Sequence, residues 1–183
     1  MIEGLEDKLA RGEVSDRQVA EGYAQFYEGV ALADAVETMS AIPSLDDIGL
    51  GVTMLRERSV ETLIATVSWS FAAQGLASVW GFSGVCGAEL EMDASSGRFT
   101  GRVARHFRPE DEVAFVAKHC RRLGIGMEQV VAVGDSRSDL PLFRAVGYSV
   151  ALNASSDARS AASVAVDGIS FLAALRAVPD LLP

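Results

Sequence analysis

From residue 62 onward, the sequence alternates short apolar runs with segments of helical periodicity. The run 130–133 is a continuous stretch of Val and Ala, which is typical of a buried parallel strand. Further strands are predicted at 62–67, 85–92, 99–103, 149–152 and 164–166, and helices at 71–79, 109–123, 140–146, 158–163 and 169–178. The turn 93–97 predicts a hairpin between two of these strands. The alternation as a whole predicts an α/β fold with a doubly wound parallel sheet.

Residues 1–60 have a different pattern, in which apolar positions recur at helical spacing. One helix is predicted from 15 to 39, with an interruption near Gly29, and a second from 46 to 58. Ser15 and Gln18 have the spacing of a capping box. The chain therefore divides into a helical segment, 1–60, and an α/β core, 61–183. The helical segment is either a small bundle packed on the core or a cap over an active site.

Residues 62–88 carry no charged side chain, and their length would allow a membrane span. They also contain hydroxyl and amide side chains and four glycines. A strand pattern, a helix pattern and a Gly-rich exit follow one another within them, which favours a buried strand–helix–strand unit. The acidic N-terminal residues do not have the pattern of a signal peptide.

The composition excludes several classes of partner. The formal net charge is −9, whereas binding to nucleic acid or to an anionic membrane needs a basic face. The two cysteines, Cys86 and Cys120, lie far apart and without metal-ligand spacing, so neither a disulfide framework nor a zinc site is expected. A reducing cytoplasm is the expected location.

Ligands of open parallel sheets bind at the carboxyl ends of the strands. After the strand 130–133, Gly134 allows a sharp turn, Asp135 follows directly, and Asp139 comes four residues later. Two carboxylates on a short loop suit Mg²⁺, which takes one or two carboxylates together with water and phosphate oxygens. The alternative is a solvated loop in which Asp139 caps the next helix.

Two other strand ends carry polar groups. Ser68 and Trp69 follow the strand 62–67 and open a helix, where a hydroxyl and free backbone N–H groups predict an anion site. An ordinary Ser cap is the alternative. Asn153 follows the strand 149–152, where it either orients a ligand or makes an Asx-turn.

Basic side chains cluster in one strip, for which there are two interpretations. The strip contributes to phosphate binding or belongs to a solvated edge strand, and the second interpretation is favoured. Its members are Arg98, Arg102, Arg105, His106 and Arg108. The two histidines of the chain, His106 and His119, are not expected to form a catalytic pair, and His119 is expected on the solvated face of its helix.

Six segments carry a family resemblance when taken in order: 67–71 (VSWSF), 87–92 (GAELEM), 97–102 (GRFTGR), 131–135 (VAVGD), 138–142 (SDLPL) and 149–154 (SVALNA). Together they resemble the phosphoserine-phosphatase-like branch of the haloacid dehalogenase superfamily. The resemblance implies a Rossmann-like core with a small helical cap. It also implies Mg²⁺-dependent hydrolysis of a small phosphorylated metabolite through an aspartyl-phosphate.

The resemblance also assigns roles to individual residues. It makes Asp135 a metal ligand and Asp139 either a second ligand or an acceptor that supports the first. Ser68, Trp69 and Asn153 become phosphate-binding residues.

Two departures from the family pattern bear on activity. The nucleophile motif D-x-D-x-[TV] does not occur in the sequence, and the superficially similar segment 34–38 lies in a helical pattern. Glu112 stands where the family has a phosphate-binding Lys, and Arg105 or Arg108 is the potential substitute. The resemblance therefore implies a chain that binds Mg²⁺ weakly and is inactive as written. The alternative is a non-catalytic binding or regulatory protein derived from the family.

The absence of the motif also affects the fold. The resemblance places the strand that carries it in the middle of the sheet, between the strands that end at Val67 and Val133. A longer natural chain, a degenerate relative, and a strand supplied by a partner are three explanations. The two strand edges could pair directly, borrow a strand from elsewhere in the chain, or exchange strands between two copies. A homodimer formed by exchange is the favoured expectation.

Overall fold

The computed structural model describes residues 4–182, which form nine α-helices and six β-strands. The helices are α1 (Leu5–Ala10), α2 (Asp16–Ala24), α3 (Leu32–Ser40), α4 (Ile48–Glu57), α5 (Ser70–Trp80), α6 (Pro109–Leu123), α7 (Leu140–Ala145), α8 (Ser156–Ala161) and α9 (Phe171–Arg176). The strands are β1 (Leu63–Trp69), β2 (Gly84–Asp93), β3 (Arg98–Arg105), β4 (Val131–Gly134), β5 (Tyr148–Leu152) and β6 (Val164–Val166). Short 3₁₀ turns occupy Gln25–Tyr27, Met127–Gln129 and Arg137–Asp139. The predicted α/β class is confirmed.

The predicted break in the first long helix is present, and its cause is local. Helix α2 begins after Ser15, whose side chain forms the expected capping box with Gln18. Gly29 then adopts a left-handed backbone conformation with φ of 76°. Glycine takes this conformation without steric cost, whereas other residues rarely do. The pattern predicted as one helix is therefore two helices joined by a turn.

The strands form two separate three-stranded sheets rather than one. In the first, β1 pairs parallel to β2, and β2 pairs antiparallel to β3 in the predicted hairpin. In the second, β4, β5 and β6 are all parallel. Within residues 4–182, no strand pairing joins β1 to β4. Direct closure of the two edges, one of the expected alternatives, is therefore not what the structure shows.

Helix α6 connects the two sheets, since it packs on β1 and β2 and also contacts α7 and the turn Met127–Gln129. Among residues 4–182, β1 and β4 are edge strands, since each pairs with only one other strand. Val67 and Val133 are each 36% exposed, although both belong to runs predicted as buried strands. Every residue of β5 after Tyr148, in contrast, is buried, because that strand has a neighbour on each side.

The helical N-terminal segment packs on the first sheet through aromatic rings. The ring of Tyr27 contacts Trp69, Phe71 and Phe99 edge-on, with centroids 5.6 to 6.1 Å apart. Helix α3 packs on α5, and α4 packs on α9. The segment is therefore joined to the core at several points. Its role as a cap stays a prediction.

The uncharged stretch 62–88 forms β1, α5 and the first part of β2, which confirms the strand–helix–strand interpretation. Among residues 4–182, no helix has the length and apolar character that crossing a membrane requires.

Candidate functional site

The loop that follows β4 is organised by the carboxylate of Asp139. Its Oδ2 accepts hydrogen bonds from the backbone N–H groups of Asp135 and Ser136, at 3.0 and 2.9 Å, and from the Ser136 hydroxyl at 3.2 Å. Three donors on one oxygen hold this carboxylate in place and curl the loop around it. Asp139 thus accepts hydrogen bonds inside its own loop, and Oδ1 takes no part in these three bonds. A role of Asp139 as metal ligand stays a prediction.

Gly134 allows that carboxylate to approach the end of β4. A Cβ atom built on Gly134 would overlap the carboxyl group of Asp139, so no larger residue fits without displacing it. The glycine is needed here for space rather than for an unusual backbone angle.

We expect Gly134→Ala to lower the free energy of unfolding by about 2–4 kcal/mol, because Asp139 would lose charge-assisted hydrogen bonds. Urea unfolding measures the change. Gly75→Ala is the matched control: a Cβ there meets only Val36, at 3.6 Å, so we expect no loss of stability. Equal stability of Gly134→Ala and the wild type would show that the loop does not depend on this contact.

Asp135 lies at the tip of β4, where burial and the neighbouring charge of Asp139 raise the pKa of its carboxyl group. Its backbone carbonyl accepts a hydrogen bond of 2.8 Å from the N–H of Ser155, which joins the loops after β4 and β5. In the part of the chain that the structure describes, no basic side chain forms an ion pair with Asp135 or Asp139.

Ser68 and Trp69 lie at the end of β1, as predicted, but their side chains differ in environment. Ser68 is exposed, and its N–H donates to the Thr66 hydroxyl at 3.1 Å. The side chain of Trp69 is 8% exposed and packs in the core with Ala88 and Phe107. Among the described residues, no side chain caps the N-terminus of α5. The first N–H groups of a helix lack partners within the helix, which suits an anion at this position.

The side chain of Asn153, at the end of β5, binds the backbone of Gly168. The backbone of Asn153 is left-handed, with φ of 50°. Its side chain donates to the carbonyl of Gly168 at 2.8 Å and accepts from the N–H of the same residue at 2.9 Å. Both ends of the amide are therefore engaged, and phosphate binding by Asn153 stays a prediction.

Glu112 lies in the first turn of α6. From the sequence it was expected only to depart from the family pattern. Its side chain is 2% exposed. The carboxyl group accepts a hydrogen bond from the N–H of Val67, while Oε2 has no hydrogen-bond partner among residues 4–182. Burial first, and the charge of Asp139 second, raise its pKa to about 7. Glu112 accepts a hydrogen bond from Val67 in β1, and the charge of Asp139, which follows β4, raises its pKa. The carboxyl ends of β1 and β4 therefore lie at the same side of the molecule.

The basic strip forms ion pairs with acidic neighbours. Arg105 pairs with Glu89 at 3.2 Å, and Arg108 with Asp111 at 3.6 Å. This pairing agrees with the favoured interpretation of a solvated edge. His119 is half-buried against Phe115, contrary to its expected place on the solvated face of the helix, because its ring bonds back to the Phe115 carbonyl at 3.1 Å.

An open cavity of about 670 Å³ lies elsewhere, between α5, β2 and α6. Phe71, Phe107 and Phe115 line it together with charged side chains of both signs. Asp135, Asp139 and Asn153 are not among its lining residues. We therefore place the candidate site by its chemistry, at the ends of β1 and β4, rather than in this cavity.

The carboxylates of Asp135 and Asp139 provide some, but not all, of the ligands that a hard cation needs. Asp135 provides an exposed carboxylate, and Asp139 provides a second, half-buried one, which is the chemistry that Mg²⁺ requires. Among residues 4–182, however, no three His, Cys, Asp or Glu side chains group closely enough to hold a metal by themselves. A metal here would depend on water or on a ligand for its remaining contacts.

Comparison with known proteins gives a consistent result. Residues 4–144 match the model of the family described as haloacid dehalogenase-like hydrolase. The phosphoserine phosphatase of Archaeoglobus fulgidus is 26% identical over 154 residues, which cover 84% of this chain and 44% of that protein. The phosphoserine phosphatase of Halobacterium salinarum is 25% identical over 158 residues, covering 83% and 72% of the two chains.

Solved structures show the same fold. A phosphoserine phosphatase with bound substrate superposes with a TM-score of 0.84 at 16% identity, covering 97% of this chain and 84% of that one. A probable phosphoserine phosphatase from Vibrio cholerae gives a TM-score of 0.79 at 19% identity, covering 90% and 51%. The chain thus spans about half the length of the Archaeoglobus and Vibrio proteins.

Proposed function

This chain belongs to the haloacid dehalogenase-like hydrolase family, and from that premise we propose that it is a phosphoserine-phosphatase-like unit that binds a small phosphorylated metabolite. In this proposal Mg²⁺ binds weakly beside Asp135, and the chain by itself does not hydrolyse the ligand. The proposed compartment is the cytoplasm, where the free thiols of Cys86 and Cys120 would stay reduced.

The observation that carries the proposal is that two features lie at the carboxyl ends of β1 and β4, on the same side of the molecule. The Asp135–Asp139 loop follows β4, and the N-terminus of α5, without a side-chain cap, follows β1. The first suits a hard cation and the second an anion, which together match a metal-bound phosphate. The relatives named above support phosphoserine as the first ligand to test.

Binding of phosphoserine in the presence of Mg²⁺ tests the proposal, with isothermal titration calorimetry as the measurement. We expect saturable binding that is at least about tenfold weaker in Asp135→Asn, because a direct metal ligand is lost. Asp34→Asn is the control, since Asp34 is exposed on α3 and belongs to the segment that only superficially resembles the nucleophile motif. Absence of phosphoserine binding, or equal binding by Asp135→Asn, would contradict the proposed site.

A second candidate is a non-catalytic binding or regulatory protein derived from the same family. Glu112 favours it, because a buried carboxylate replaces the cation that the family pattern has at this position. This candidate predicts saturable binding of a ligand without a phosphate group. Competition between such a ligand and phosphoserine would distinguish the two.

A homodimer is the proposed assembly, because the open edges of β1 and β4 are templates for strand pairing. We expect sedimentation at low micromolar concentration to give a dimer. We also expect the double change Val67→Lys and Val133→Lys to shift it toward monomer, because charged edges resist pairing. Val79→Lys is the control, at a 75% exposed position of α5 away from both edges. A monomer at all concentrations would exclude strand exchange.

A further inference from the structure

The third strand of the first sheet covers only part of its neighbour. Strand β3 pairs with β2 from Glu89 onward, whereas residues 84–88 have pairing partners in β1 alone. Among residues 4–182, this half of β2 therefore has a strand on one side only. The open cavity of about 670 Å³ borders it, since Val85, Cys86 and Gly87 line the cavity together with residues of α5 and α6. Its volume lies in the range of about 300–1,000 Å³ that is common for small-molecule sites.

Three aromatic rings form much of the apolar lining of the cavity. Phe71 comes from the first turn of α5, Phe107 from the segment after β3, and Phe115 from the middle of α6. The fold thus brings together rings from three separate segments, and the ring of Phe107 is only 8% exposed. Aromatic rings pack favourably, stacked or edge-on, against a further ring. The lining therefore suits a ligand that carries an aromatic group.

The charged side chains of the cavity are balanced with one exception. Arg105 pairs with Glu89 at 3.2 Å, and Asp111 pairs with Arg108 at 3.6 Å. Lys118, in contrast, forms no ion pair with any residue in the described part of the chain. It is exposed and lines the cavity, so its ammonium group can reach a ligand there without leaving water completely. A ligand with one negative charge would balance it.

The cavity is separate from the candidate site at the ends of β1 and β4. Asp135, Asp139 and Glu112 are not among its lining residues. Lys118 follows Glu112 by six residues on α6, which places the two about 9 Å apart along the helix axis. The cavity and the candidate site approach each other at the first turn of α5, where Ser70 lines the cavity.

We propose that this cavity binds a small aromatic carboxylate, with its ring among the three phenylalanines and its carboxylate at Lys118. A carboxylate brings the single negative charge that Lys118 can balance. The second charge of a phosphate would instead be repelled by Glu89 and Asp111, which also line the cavity. The proposal therefore does not rest on the proposed binding of a phosphorylated metabolite.

Indole-3-acetate is the probe, and tryptamine and acetate are its matched partners. Tryptamine carries an ammonium group on the same ring, whereas acetate carries the negative charge without the ring. With the wild type, isothermal titration calorimetry should show one saturable site for indole-3-acetate and no binding of acetate. Tryptamine should bind at least about fivefold more weakly, because it loses the ion pair with Lys118. Absence of indole-3-acetate binding, or equal binding of the two indoles, would overturn the proposal.

Two variants locate the probe in the cavity, and both change exposed positions of α6. Lys118→Glu should weaken indole-3-acetate at least about tenfold and should make tryptamine the tighter ligand, because attraction becomes repulsion. Lys8→Glu is the matched control, since it makes the same change at an exposed position of α1, and we expect less than about a twofold effect. Ala114→Trp places a large ring in the cavity and should abolish binding of indole-3-acetate.

A competition experiment separates this site from the ends of β1 and β4. Phosphoserine with Mg²⁺ should not displace indole-3-acetate from the wild type. Displacement would show that the probe occupies the candidate site, and it would overturn the proposal. Unchanged binding of indole-3-acetate in Lys118→Glu or in Ala114→Trp would overturn it as well, because the probe would then lie outside the cavity. Far-ultraviolet circular dichroism of both variants confirms that a loss of binding is not a loss of fold.

Discussion

The chain by itself is expected to show no Mg²⁺-dependent hydrolysis of phosphoserine or of an aryl phosphate above the uncatalysed rate. The sequence contains no D-x-D pair, which in the resembling family provides the nucleophile and the acid–base group. Asp34, the first residue of the superficially similar segment, lies on the exposed face of helix α3 and not at a strand end. Loss of the nucleophile costs about a millionfold in a well-studied hydrolase, and we expect a deficit of that order here.

Release of inorganic phosphate over long incubations measures this prediction. The proteins to compare are the wild type, Asp135→Asn and Asp34→Asn at matched concentrations. Turnover that Asp135→Asn abolishes and Asp34→Asn retains would refute the expectation and require another nucleophile at the same site. Turnover that all three share would indicate a contaminating phosphatase. The binding experiment on phosphoserine is independent of this outcome, so binding and catalysis can fail separately.

Glu112→Gln is expected to stabilise the protein above neutral pH by about 3 kcal/mol. Folding raises the pKa of Glu112 from 4.5 to about 7, first through burial and then through the charge of Asp139. Between these two values the folded protein holds a proton that the unfolded chain has released, so stability falls as pH rises through this window. A separation of about 2.5 pKa units corresponds to about 3 kcal/mol, and above pH 7 the cost is complete.

Urea unfolding at pH 4 and pH 8, with a chelator present, tests the prediction. At pH 4 the carboxyl group is protonated in both states, so the wild type and Glu112→Gln should be equally stable. At pH 8 the variant should be the more stable protein. Glu110→Gln on the same helix should show no such difference, because its side chain is exposed. Equal stability of wild type and Glu112→Gln at pH 8 would mean that the carboxylate is already compensated in the folded protein.

Together these expectations describe a phosphatase-like site with altered electrostatics. Asp135 and Asp139 follow β4, Glu112 lies on α6 beside the end of β1, and none of the three forms an ion pair within residues 4–182. Phosphate would be repelled there unless a metal ion or a proton neutralised part of the charge. Binding of a cation is thus a condition for binding of the proposed phosphorylated ligand.

The sequence alone determined the elements and the loop chemistry. Helix α6 begins at Pro109 and ends at Leu123, as predicted, because Pro suits a first helical turn and the left-handed Gly124 ends the helix. The Val-Ala run was correctly placed as β4, with Gly134 and Asp135 following it. These features depend on neighbouring residues, and neighbouring residues are what a sequence pattern records.

Tertiary structure alone decided how those elements face one another. The burial of Glu112 follows from the packing of α6 against β1, and a charged residue in a first helical turn is by itself compatible with full exposure. The burial of Trp69 beside Ala88 and Phe107 likewise depends on segments far apart in the chain. The open edges of β1 and β4 are another such outcome, because apolar runs predict strands but not their neighbours. Strand pairing and burial arise from long-range contacts, and local periodicity carries no record of them.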